Sequence, residues 1–159
     1  MPADHPLGFA EHDHALCRDD AVTAAEALCA SRALRLTPVR RRTLEILLES
    51  HAALGAYDVL ARLDAEGLGS APPVAYRALA FLVENGLAHR IERLNAYVAC
   101  DRSGAAHDPA FLICRGCGAV AEAQGGNPLG DAAAEAGFRV ERAVVELEGL
   151  CPGCAGDEP

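Results

Sequence analysis

The sequence contains no tryptophan and no lysine, and aromatic residues make up only 4% of its 159 positions. Apolar residues reach 51%, which is enough for a folded core and excludes a wholly disordered chain, but that core must be aliphatic and rich in alanine. No stretch of eighteen apolar residues occurs, which excludes a membrane span. The N-terminus lacks a basic region followed by an apolar run, so we expect no signal peptide and a cytoplasmic protein.

Seven cysteines are a high number for a chain of this length. Because no export signal is found, disulfides are not expected, and metal ligation or redox chemistry becomes the leading explanation for the thiols.

The net charge of −9 conceals a basic segment. Residues 32–93 carry nine arginines and seven acidic residues, whereas the segments on either side have net charges of −5 and −6. A locally basic segment inside an acidic chain is compatible with nucleic-acid binding, although the charge of the whole chain argues against it.

The spacing of apolar residues in the first part of the chain predicts helices followed by a hairpin. A helix is expected over residues 19–33, and three more are expected after Thr37-Pro38, over residues 56–66 and after residues 70–73. Two short alternating runs, residues 87–92 and 96–100, predict the hairpin. Three helices and a hairpin in this order, within the basic segment, indicate a winged helix-turn-helix domain.

The pattern changes after residue 100, where a second small domain is predicted. Strands are expected over residues 110–114, 118–123 and 138–148, with a short helix over residues 127–136. The predicted fold class is α+β, with an N-terminal winged helix-turn-helix domain followed by a small α/β domain. The predicted parts are a flexible tail, a winged-helix domain, a hinge and a second domain, at residues 1–18, 19–100, 101–109 and 110–159.

Two Cys-x2-Cys motifs are the strongest local signal: Cys114 with Cys117, and Cys151 with Cys154. Two intervening residues allow both thiolates of a motif to reach one tetrahedral zinc ion at ~2.3 Å. Four thiolates leave no open coordination position, so the motifs predict structural rather than catalytic zinc. Disulfide exchange at the second motif is the alternative, but that chemistry needs a helix N-terminus near the start of a βαβ fold.

Several separated motifs together carry a family signature. They are Leu36-Thr37-Pro38-x-Arg40, Ala56-Tyr57-Asp58-x-Leu60, Pro72-Pro73-x-x-Tyr76-Arg77-Ala78-Leu79, Phe111-Leu112-Ile113-Cys114-Arg115-Gly116-Cys117-Gly118-Ala119-Val120 and Leu150-Cys151-x2-Cys154. With these motifs the chain resembles the ferric uptake regulator family of bacterial metal-sensing repressors over residues 22–154. It is most similar to the zinc uptake regulator branch, for three reasons. Cys100 ends the second hairpin strand, and Glu122 follows the first Cys-x2-Cys motif. Only His107 is found where iron sensors have a His-rich cluster.

The resemblance implies a homodimer, with the second domain mediating dimerisation, and a second, regulatory zinc ion in each subunit. Matching positions supply its ligands: His89, Cys100, His107 and Glu122. Two imidazoles, one thiolate and one carboxylate are a reasonable tetrahedral zinc set. The expected cofactor content is therefore two Zn²⁺ per subunit. Without the resemblance, His89 would more often be a surface histidine, Cys100 a buried apolar residue and Glu122 a solvated strand residue.

Residues 73–84 are the candidate recognition helix. The resemblance implies that Arg77 contacts a purine edge, that Tyr57 contacts a base or phosphate and that Tyr76 positions the backbone. Arg40, Arg41 and Arg42 suit phosphates, although a solvated helix face is an equal alternative for the last two. Val74-Ala75 stands where the family often has Thr-Val, so a hydroxyl contact to phosphate is lost.

The predicted function is a zinc-responsive, DNA-binding transcriptional repressor that binds double-stranded operators as a zinc-loaded homodimer and controls zinc uptake genes. Neither an enzymatic activity nor a small-molecule substrate is expected. The alternative is a sister sensor of the same family that responds to iron, manganese or peroxide. A zinc enzyme would need an open metal position beside a general acid or base, and no motif supplies one. A protein-binding zinc ribbon does not account for the basic segment. Cys17, Cys29 and the N-terminal histidines have no predicted role.

Overall fold

The computed structural model describes Phe9, residues 14–105 and residues 107–156. The chain divides into two compact units. The first, here called the helical unit, is Glu11–Ala105, and the second, here called the cysteine unit, is Ala106–Pro159 together with Met1–Ala10. In the described part of the chain, no helix has both the length and the apolar character needed to cross a bilayer.

The helical unit contains four helices followed by a two-stranded hairpin. Its elements are α1 (His14–Ser31), α2 (Pro38–Leu48), α3 (Ala56–Ala65), α4 (Pro72–Glu84), β1 (Ala88–Ile91) and β2 (Ala96–Ala99). The hairpin is antiparallel, with Ala88 opposite Ala99, and Leu54 forms an additional bridge to Tyr97. The order of α2, α3, α4 and the hairpin confirms the winged helix-turn-helix prediction.

Local sequence explains where α2 and α3 begin. Thr37 is the N-cap of α2, its hydroxyl oxygen accepts a hydrogen bond from the backbone N–H of Arg40 at 3.4 Å, and Pro38 starts the helix. At α3, the carboxylate of Asp58 accepts a hydrogen bond from the N–H of Gly55 at 3.1 Å. These caps fix the starts of α2 and α3, the two helices immediately before α4.

The core of the helical unit is aliphatic, as the scarcity of aromatic residues predicts. Its largest fully buried aliphatic side chains come from α2, α3, α4, β1 and the residue before β1, and they are Leu44, Ile46, Val59, Leu63, Leu79, Leu82, Leu87 and Ile91. Thr43 is also fully buried, and its hydroxyl donates a hydrogen bond to the carbonyl of Val39 at 2.8 Å, so this buried polar group keeps a partner.

The cysteine unit is a three-stranded sheet with two short helices. Its elements are β3 (Pro109–Cys114), β4 (Val120–Gln124), α5 (Gly130–Glu135), β5 (Val145–Gly149) and α6 (Pro152–Ala155). The strand order is β4-β3-β5, with β4 antiparallel and β5 parallel to β3. The crossover through α5 makes the parallel pairing possible.

The structure corrects several predicted boundaries. Helix α1 begins at His14, five residues before the predicted start, so it includes part of the predicted tail. The rest of that tail, apart from Phe9, and the side chain of Cys17 lie outside the described residues. The predicted strand over residues 138–148 is observed only as Val145–Gly149. Phe138 is 68% exposed and Leu147 57%, so the apolar alternation does not mark a face buried within this chain.

Candidate metal centre and nucleic-acid interface

The four cysteines of the two motifs converge in the cysteine unit. Cys114 ends β3, Cys117 lies in the following turn, Cys151 is the N-cap of α6 and Cys154 lies within α6. Their Sγ atoms all lie within 4.8 Å of one another. The sheet accounts for this convergence, because Cys114 is paired with Gly149 and the second motif starts two residues further on.

The distances between the thiols suit a tetrahedral metal ion. The Sγ atoms of Cys117 and Cys151 are 3.8 Å apart. Four sulfurs at ~2.3 Å from a central zinc ion are separated by about 3.8 Å along each edge of the tetrahedron. A disulfide would bring two sulfurs to about 2.05 Å. The arrangement therefore fits four-thiolate zinc, and all four described thiols are free.

Backbone donors and thiol crowding shift two of the cysteine pKa values in opposite directions. The N–H of Cys151 donates to Sγ of Cys114 at 3.3 Å, and this bond with other backbone N–H groups lowers the pKa of the Cys114 thiol to about 6. Hydrogen bonding to the other thiols, Cys151 first, raises the pKa of Cys154 to about 12. The thiol of Cys114 therefore ionises readily, whereas that of Cys154 resists ionisation. A bound divalent cation allows all four thiols to ionise together.

The redox alternative loses support from the same geometry. Cys151 does precede a helix, but α6 has only four residues. The Cys151 motif also lies against the Cys114 motif, so its two thiols belong to a set of four. A four-sulfur cluster is the arrangement that metal ligation needs.

Two of the predicted regulatory ligands lie in the helical unit. His89 is in β1 opposite Val98, and Cys100 follows two residues after Val98. Because side chains alternate along a strand, His89 and Cys100 share one face of the hairpin. Cys100 is 4% exposed, and its Sγ accepts a hydrogen bond from the N–H of Arg102 at 3.3 Å.

The other two predicted regulatory ligands lie in the cysteine unit. Nε2 of His107 and Oε1 of Glu122 are 2.6 Å apart, with 14% and 5% of the respective side chains exposed. Glu122 is in β4, opposite Phe111 of β3. A largely buried carboxylate in contact with an imidazole is a donor pair suited to zinc, but a tetrahedral site needs two more ligands.

Three of the four predicted DNA-binding residues are exposed on α3 and α4. Tyr57, at the start of α3, is 66% exposed, and Tyr76 of α4 is 46% exposed. Their rings meet edge to face, with centroids 6.4 Å apart and planes at 88°. Arg77 is also exposed, and within the described residues no carboxylate pairs with it. This surface therefore offers two phenols and an uncompensated guanidinium.

Arg41 and Arg42 take part in ion pairs instead of presenting free charge. Arg42 donates two hydrogen bonds of 2.7 Å to Glu66, the C-cap residue of α3. Arg41 forms ion pairs with Glu26 of α1 and with Glu45. The hydrogen bonds that Arg42 donates to Glu66 raise the pKa of Arg42, and the same pairing lowers the pKa of Glu66. These contacts favour the alternative of a helix-surface role over phosphate binding for both arginines.

Arg40 differs from its two neighbours in what it contacts. Its guanidinium lies over the ring of Phe81 in α4, 3.8 Å from the ring centroid, and donates a hydrogen bond to the carbonyl of Arg35 at 2.7 Å. Sequence reasoning missed Phe81, because nothing in the local pattern links it to a residue forty-one positions earlier.

A winged helix-turn-helix unit followed by a sheet unit with four clustered thiols defines a class of metal-binding winged-helix proteins. The model of the ferric uptake regulator family matches residues 31–147. This chain belongs to that family. The zinc uptake regulation protein of Escherichia coli (strain K12) is 40% identical over 134 residues, which cover 82% of this chain and 78% of that protein.

Two solved structures share both sequence and fold with this chain. A zinc uptake regulator complexed with zinc and DNA is 37% identical, with a TM-score of 0.80, covering 87% of this chain and 95% of that one. Holo XcZur is 36% identical, with a TM-score of 0.75, covering 87% of this chain and 99% of that one.

Proposed function

We propose that this protein is a cytoplasmic, zinc-responsive transcriptional repressor. It binds operator DNA as a zinc-loaded homodimer and controls zinc uptake genes. The observation that carries the proposal is an exposed Arg77 on α4 of a winged helix, which has no carboxylate partner among the residues that the structure describes, in a chain that also clusters four thiols suited to zinc. Similarity at 37% identity to a regulator solved with both zinc and DNA supports it.

The first zinc ion is a structural one held by Cys114, Cys117, Cys151 and Cys154. Zinc neutralises crowded thiolates and has no redox chemistry of its own. Held there, it ties the β3 end to the residues after β5. Because such a site is absent from the unfolded chain, its binding free energy adds to the stability of the cysteine unit.

The second zinc ion is the regulatory one, and four residues would hold it: His89, Cys100, His107 and Glu122. The support is that each unit supplies two protein donors, whereas tetrahedral zinc needs four ligands. An ion bound by both pairs restricts the hinge, residues 101–109. Zinc then shifts the population towards the conformation that binds DNA, and by linkage operator DNA tightens the binding of zinc.

The two units support the domain assignment, because the boundary between Ala105 and Ala106 falls inside the proposed hinge. The winged-helix domain, residues 19–100, binds DNA, and residues 110–159 mediate dimerisation. Large apolar side chains exposed on the cysteine unit support a dimer interface there, and they are Leu129, Phe138, Val140, Val144 and Leu147.

Helix α4 would enter the major groove of each half-site. Arg77 makes bidentate hydrogen bonds to a purine edge, Tyr57 contacts a base or phosphate, and Tyr76 positions the backbone. A dimer presents two such helices to a two-fold symmetric operator.

Operator binding titrated against buffered free zinc, with metal counted per chain, tests this function. We expect two zinc ions per subunit and operator affinity that rises as the second site fills. Equal affinity of metal-loaded and metal-stripped protein would overturn the proposal. If Fe²⁺ or Mn²⁺ restored operator binding at physiological levels and zinc did not, the protein would be a sister sensor.

A further inference from the structure

Arg40 connects three segments of the helical unit through one side chain. It belongs to the first turn of α2, it donates to the carbonyl of Arg35 in the α1–α2 loop at 2.7 Å, and it stacks at 3.8 Å on Phe81 of α4. Arg40 is partly buried and Phe81 is 8% exposed. The stacked ring is therefore buried, whereas the hydrogen bond to Arg35 lies at the surface.

Only arginine has the chemistry that both contacts require. A guanidinium is planar, so one face can stack on an aromatic ring while its edge donates in-plane hydrogen bonds. A lysine ammonium keeps the charge but cannot do both in a fixed geometry. The contacts of Arg40 thus depend on the shape of the group as well as on its charge.

The stacked ring is close to the predicted base contact along α4. Phe81 follows Arg77 by four residues, which is about one helical turn and places both on the same side of the helix. A guanidinium clamped on Phe81 restrains rotation of α4 against α2. Base recognition by a bidentate arginine requires such restraint, because two hydrogen bonds must align with one base edge.

We propose that Arg40 is a positioning residue for operator recognition, which holds α4 in register through Phe81 and does not bind a DNA phosphate. This inference rests on the proposed function, because it concerns how the same DNA surface discriminates between sequences. It replaces the sequence-based interpretation of Arg40 as a phosphate contact.

The two interpretations differ in salt dependence and in specificity. A lost phosphate contact lowers affinity for all sequences alike and reduces the slope of log affinity against log salt by about 0.9. A lost positioning contact lowers operator affinity more than affinity for random DNA. It leaves the slope unchanged when the charge is kept.

The test compares zinc-loaded, full-length Arg40→Lys, Arg40→Gln, Phe81→Leu and the double variant Arg40→Lys/Phe81→Leu. Arg62→Lys is the matched control, since it keeps the charge and its partner Glu49 belongs to the surface ion pairs. Affinities for operator and random duplexes are measured over a range of salt, well below each variant's melting temperature. We expect Arg40→Lys and Phe81→Leu each to lower the ratio of operator to random affinity by about threefold to tenfold. The salt slope stays unchanged, and the double variant loses no more than the worse single variant.

Two results would overturn the inference. In the first, Arg40→Lys has the same affinities as wild type, whereas Arg40→Gln lowers the affinity for operator and random duplexes equally and has a smaller salt slope. This result would identify Arg40 as a phosphate contact. In the second, the fold loss in the double variant equals the product of the two single losses, which would show that Arg40 and Phe81 act independently. If Phe81→Leu fails to fold, the ratio of operator to random affinity in Arg40→Lys, compared with that in Arg62→Lys, still distinguishes the two interpretations. Failure of wild type to prefer any operator when zinc-loaded would instead contradict the proposed function.

Discussion

Replacing Ala33 with glycine should stabilise the protein, although glycine weakens most helices. Ala33 follows the end of α1 with φ at +52°, in the left-handed region that disfavours a side chain. The N–H of Leu34 donates to the carbonyl of Cys29 at 2.8 Å, and that of Ala33 donates to Ala30 at 3.2 Å. This is the hydrogen-bond pattern of a Schellman C-cap, in which the position of Ala33 is usually glycine.

The size of the effect follows from two opposing terms. Relief of the left-handed strain on a residue with a Cβ is worth roughly 1–2 kcal/mol. The extra freedom of glycine in the unfolded chain costs roughly 0.4–1 kcal/mol. The expected net gain for Ala33→Gly is therefore about 0.5–1 kcal/mol. Ala27→Gly, at an exposed position inside α1, is the matched control and should lose about 0.5–1 kcal/mol.

Urea unfolding of the zinc-loaded protein, followed by helical circular dichroism, measures both changes. A shift of the midpoint at constant slope reports stability alone. If Ala33→Gly moved the midpoint down, as Ala27→Gly should, the left-handed conformation would not be a source of strain and the reasoning would be refuted.

Three further changes probe the two functional regions and the ion pairs. Arg77→Ala should lower discrimination between operator and random DNA by about 1–3 kcal/mol, and an unchanged ratio in a binding assay would exclude it as the reader. Cys114→Ser should remove one zinc per chain and destabilise the cysteine unit, so retention of both metal and melting temperature would contradict the four-thiol site. Glu66→Gln should lower stability at neutral pH, because Arg42 depresses the pKa of Glu66 in the folded state. That stabilisation is present above the ordinary glutamate pKa and is lost as pH falls through the lower folded value. Unfolding measured against pH should therefore show the two proteins converge in acid, and a constant gap would count against the pairing.

Features encoded by local spacing could be predicted from the sequence. Thr37-Pro38 marks the start of α2, and the two Cys-x2-Cys motifs indicate a shared metal, because cap chemistry and ligand spacing act over a few residues. The winged helix follows from helix periodicity and a short hairpin in the right order.

Features that depend on distant partners could not be predicted in the same way. Arg40, Arg41 and Arg42 look alike in the sequence, yet Arg40 stacks on Phe81, whereas the other two pair with glutamates. Only the packing of α2 against its neighbours separates them. The predicted strand over residues 138–148 was too long for a related reason, since apolar alternation also occurs in segments whose side chains are exposed.

The measurement that tests the account most directly is the zinc response of Cys100→Ser. Serine removes one proposed ligand of the regulatory ion and leaves the four clustered thiols untouched. We expect the variant to keep one zinc per chain and its dimeric state, and to lose zinc-dependent operator binding in a buffered titration. If Cys100→Ser bound operator with the same zinc dependence as wild type, zinc would not act through a site that joins the two units.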